Sequence, residues 1–87
     1  MKTITEQKIK KYIEITEKAL EGIKIMDDKA KDVLDMAIRY FKDAQYYKQK
    51  GDFVTAFACI NYAHGWLDAG ARLKLFKVKH KELFTIE

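Results

Sequence analysis

Not one proline interrupts the 87 residues, and apolar side chains return at steps of three and four through most of them. Proline removes a backbone donor and clashes with the preceding turn, so a chain without it can run in long helices. Three-and-four spacing gathers the apolar residues of each helix into one stripe. With only four glycines available for turns, a many-stranded β fold is disfavoured. The expected fold is all-α: an antiparallel up-and-down three-helix bundle with a short C-terminal extension.

The first helical segment covers residues 3–25. Thr3 and Glu6 have capping-box spacing, and Ile9, Tyr12, Ile13, Thr16, Leu20 and Ile23 form its stripe. Asp27 or Asp28 caps a second segment that reaches about residue 50, with Ala30, Val33, Leu34, Ala37, Tyr40, Phe41, Ala44 and Tyr47 inward. Gly51 then supplies a left-handed C-terminal cap, and Asp52 caps the next helix at once. So short a connection sets the second and third helices antiparallel. The third segment, residues 53–75, carries three ladders in sevens: Phe53, Ile60, Leu67; Ala56, Ala63, Gly70; and Cys59, Trp66, Leu73. Small residues flanked by bulky ones suit a helix seated between two neighbours. The bundle is read as residues 1–76, and residues 77–87 as a basic and apolar segment able to pack back on it.

From residue 40 to 76 the run YFKDAQYYKQKGDFVTAFACINYAHGWLDAGARLKLF resembles the domain of unknown function 357 family, an uncharacterised and mainly archaeal group of small helical proteins. The block from Gly51-Asp52 through Ala69-Gly70-Ala71-Arg72-Leu73 is its most specific part, and Leu83-Phe84-Thr85-Ile86 is similar to the family's ending. The resemblance implies a three-helix bundle and implies no activity. Relatives tend to be acidic beyond position 76, where this chain has Lys77, Lys79, His80 and Lys81.

Charge is unevenly placed. Residues 1–71 carry twelve Lys/Arg against eleven Asp/Glu, and residues 72–87 five against two, so the basicity belongs to the C-terminal segment. Residues 1–11 are charged and lack the apolar stretch of a signal peptide, and no apolar run is long enough to span a bilayer. A cytoplasmic location without a membrane partner is expected. Cys59, the single cysteine, reads as a small core hydrophobe.

The third helix has the wrong exterior for a surface that meets only water. Between Phe53 and Ala71 its one formally charged residue is Asp68. Its outer positions are Ala58, Asn61, Tyr62, Gly65, Asp68, Ala69 and Arg72, with His64 at the margin. Small, flat and sparsely polar residues there point to a covering layer: the chain's own C-terminal segment, a second copy in a homodimer, or another protein. The expected function is a non-catalytic interaction module. A second reading is a nucleic-acid-binding accessory protein in which Arg72, Lys74, Lys77, Lys79 and Lys81 grip phosphates beside Phe76. A third is a small-molecule site around Asn61, His64 and Asp68, which share one polar stripe. His64 and Asp68 supply two metal ligands where a structural zinc needs four, so neither metal nor cofactor is expected. The chain has no phosphate-cradling glycine loop and no serine at all, and no catalytic residue is assigned.

Overall fold

A computed structural model describes residues 3–84. Helix α1, Glu6–Leu20, starts where the hydroxyl of Thr5 accepts a hydrogen bond from the Lys8 amide at 3.1 Å. Thr5 therefore caps the helix in place of the expected Thr3, and the capping box is not used. Ile9, Ile13, Thr16 and Ala19 form the buried face. Ala19 completes the stripe that the spacing of larger residues outlined.

The expected continuation of α1 to residue 25 is not found. The helix ends at Leu20, and Gly22 turns the chain with φ +70°. Ile23 is then half-buried, while Lys24 and Ile25 are exposed. A short strand β1, Lys24–Ile25, pairs antiparallel with β2, Phe76–Lys77, setting Lys24 opposite Lys77 and Ile25 opposite Phe76. The β-branched residues that a helix tolerates here find a better partner in a strand arriving from the far end of the chain.

Helix α2, Ala30–Gln49, is preceded by Asp27, whose carboxylate accepts from the Lys29 amide at 2.9 Å. Its buried line is Ala30, Ala37 and Ala44, spaced by sevens. Helix α3, Phe53–Arg72, buries Ala56, Ile60, Ala63, Leu67 and Gly70. Small residues on both helices let α2 and α3 approach closely along their lengths, with α1 laid against the pair.

Between α2 and α3 the expected caps are present. Gly51 has φ +78°, its amide reaches the Lys48 carbonyl, and the Asp52 amide reaches that of Tyr47. This is the Schellman pattern. Asp52 then accepts from the Thr55 amide at 3.1 Å. Helix α3 ends in the same way, three residues before the expected end at 75. Lys74 has φ +60°, its amide bonds the Ala71 carbonyl, and the Leu75 amide bonds that of Gly70. Leu73, assigned to a packing ladder by its sevenfold spacing, stands past the last helical turn and is 69% exposed.

The core falls into two clusters. Ile9, Ile13, Ala44, Ala56 and Ile60 fill the end near the α2–α3 turn. Ala19, Ala30, Ala37, Leu67, Phe76 and Phe84 fill the other, so the chain beyond α3 contributes directly to the core. A 3₁₀ turn, Lys81–Leu83, brings Phe84 back onto the bundle.

Candidate functional site

The outer side of α3 divides into an open part and a covered part. Ala58, Asn61, Tyr62, Gly65, Ala69 and Arg72 are exposed, while His64 and Asp68 are half-buried. Tyr62 stacks on Tyr40 of α2 with ring centroids 4.6 Å apart and planes 12° from parallel. The open surface thus extends from α3 onto its neighbour. A shallow depression of about 240 Å³ lies among Tyr62, Gly65, Trp66 and Ala69.

The two glycines of α3 are not equivalent. A Cβ at Gly70 would overlap the Phe76 ring and stand 3.0 Å from Val33, so packing requires glycine there. A Cβ at Gly65 would meet no atom of the described residues within 4 Å. Among the described residues nothing accounts for a mid-helix glycine that lowers helix stability by about 1 kcal/mol relative to alanine.

His64 marks the boundary of the cover. Its Nε2 lies 2.7 Å from the Leu83 carbonyl oxygen, which can only accept, so Nε2 carries the proton and donates. The imidazole also stacks on Phe84 at 5.9 Å, and the Asp68 carboxylate is 3.7 Å from the same Nε2. Asn61 donates its side-chain amide to the Phe57 carbonyl of its own helix at 3.0 Å. Asn61, His64 and Asp68 do line one cleft of about 240 Å³, together with Tyr12 and Thr16 of α1. Two of its polar groups thus have intramolecular partners on the backbone. Cys59, on the same helix, has its thiol pushed above the ordinary value, by burial first and then by the charges of Asp43 and Asp52. Among the described residues no three His, Cys, Asp or Glu side chains gather as a metal-holding group.

The basic residues separate into two sets. Arg72, Lys74, Lys77 and Lys81 line a half-open groove of about 720 Å³ whose floor is Met26, Ala71, Phe76 and Val78. Lys79 stands apart with its aliphatic chain against Gly22, leaving no space for a side chain there. Phe76, the ring expected to stack a base, is only 2% exposed. The sequence reading missed Lys24 and Met26 as neighbours of this groove because Lys24 fell inside the expected first helix, residues 3–25, and Met26 directly after it. The alternation from Ile23 to Ile25 after Gly22 was the available signal.

Three packed helices, with a two-residue ribbon tying the end of α1 to the end of α3, define a small all-α helical-bundle domain. The chain belongs to the family described as protein of unknown function (DUF357), which matches residues 11–76. No curated protein matches the chain. Among the described residues no helix is long and apolar enough to cross a membrane.

Proposed function

We propose that the protein is a non-catalytic interaction module whose docking face is the open part of α3, and that a second copy of the chain occupies it. The observation that carries this reading is Gly65, a mid-helix glycine whose Cβ position meets no atom of the described residues, among exposed Ala58, Tyr62 and Ala69. Small residues on a helix exterior allow another backbone to come close, and the Tyr62–Tyr40 pair offers a flat aromatic anchor beside them. The face is almost uncharged, so it offers no charge pattern to select an unlike partner. A neutral, self-similar surface suits the isologous contact of a two-fold dimer.

The test is the mass of the full chain in solution, by light scattering or sedimentation, for the wild type and for Ala58→Glu and Gly65→Glu. Both positions are exposed, so helicity by circular dichroism should persist. A dimer that both glutamates dissociate is the expected result. A monomeric wild type at high concentration, or a dimer indifferent to both changes, would overturn the assignment.

A further inference from the structure

The end of the molecule where α3 stops concentrates positive charge. The ribbon sets Lys24 directly opposite Lys77, an arrangement in which like charges repel. Arg72, Lys74 and Lys81 stand around the same groove as Lys77. Among the described residues no carboxylate forms an ion pair with any of these five cations. The acids that follow Met26 are engaged at the start of α2, Asp27 with the Lys29 amide and Asp28 with the Lys31 ammonium at 4.0 Å.

Lys74 adds to this charge from a backbone position that favours another residue. It occupies the left-handed position of a Schellman cap, with φ +60°, where glycine is the favoured residue. The equivalent position after α2 is indeed glycine, Gly51.

Large apolar side chains stand exposed among these cations. Leu73, between Arg72 and Lys74, is 69% exposed, Met26 50% and Ile25 44%. Ile25 pairs with Phe76 and the Met26 amide bonds the Leu75 carbonyl at 2.9 Å, so all three belong to one end of the fold. A basic patch that serves only solubility has no use for leucine and methionine in its midst. A single-stranded nucleic acid would use the cations together with an aromatic face, but the Phe76 ring is buried. An anionic bilayer uses both features at once: headgroups meet the cations while apolar side chains enter the interface. We propose that this end of the molecule docks on the surface of an anionic lipid bilayer, lying on it without crossing it.

The experiment is co-flotation of the full chain at low salt with two kinds of vesicle. One is phosphatidylglycerol and phosphatidylcholine in equal parts, and the other phosphatidylcholine alone. The expected result is partition onto the anionic vesicles only. Lys77→Gln should weaken it about fivefold, and Leu73→Gln or Met26→Gln about tenfold. Lys74→Gly should raise the thermal midpoint while lowering partition, a pairing that a merely structural lysine would not give. Gln7→Ala, exposed on α1 and outside both proposed faces, should leave partition unchanged. Equal partition onto both vesicles, or none onto either, would overturn the proposal. So would undiminished binding by both Leu73→Gln and Met26→Gln. Oligothymidine that displaces the vesicles from the wild type and still binds Leu73→Gln fully would assign the groove to nucleic acid instead.

Discussion

Asp52 shows how one side chain both positions a helix and makes its stability depend on pH. Hydrogen bonds from Thr55, side chain first and backbone amide second, hold its carboxyl below the usual carboxylate value. A group depressed on folding contributes stability in full above its unfolded value, and loses it as pH falls through the folded one. Asparagine caps equally well without titrating. Between neutral pH and about pH 3, the thermal midpoint of the wild type should therefore fall further than that of Asp52→Asn. Parallel curves for the two proteins would mean that the cap is unimportant to acid stability. Asp52 and its partner Gly51 were readable from the sequence because a cap is made within four residues of itself.

Helix α3 carries a sharper contrast at the scale of the element. Gly70→Ala would drive a methyl group into the Phe76 ring and against Val33, and should destabilise the fold by about 1–3 kcal/mol. Gly65→Ala meets open space and should stabilise the monomer by about 0.5–1 kcal/mol. Urea denaturation at low protein concentration measures both, and equal signs at the two positions would contradict the packing described. The sevenfold ladders identified the buried small residues Ala56, Ala63 and Gly70 correctly. The same repeat failed at Leu73, because periodicity persists in a sequence after the helix that would use it has stopped. Only the cap geometry at Lys74 records that stop, and lysine in that conformation has no sequence signature.

On the scale of the whole molecule, the chain beyond α3 is part of the core. Phe84 is buried with Ala19, Ala30, Ala37, Leu67 and Phe76, and its ring lies on His64. Phe84→Ala should cost about 3 kcal/mol, the range for removing a buried aromatic side chain. Thermal or urea unfolding would check the value, and a loss under about 0.5 kcal/mol, typical of surface changes, would mean that the closing segment is dispensable. The same closure decides which part of α3 remains open. It takes His64 through the Leu83 carbonyl and leaves Ala58, Tyr62, Gly65 and Ala69 to the solvent.

The sequence by itself determined the three helices, their buried stripes, the Gly51–Asp52 junction and the antiparallel pairing of α2 with α3. Each rests on interactions between residues a few positions apart, or on a connection too short to allow another arrangement. Tertiary structure alone decided that α1 ends at Leu20, that Lys24 faces Lys77, that Lys79 leaves the basic set, and that Leu73 stands in water. Those outcomes depend on the last strand reaching the end of the first helix. Residues 23–25 and 76–77 are distant in the chain, and local preference cannot choose between helix and strand for either until the bundle brings them together.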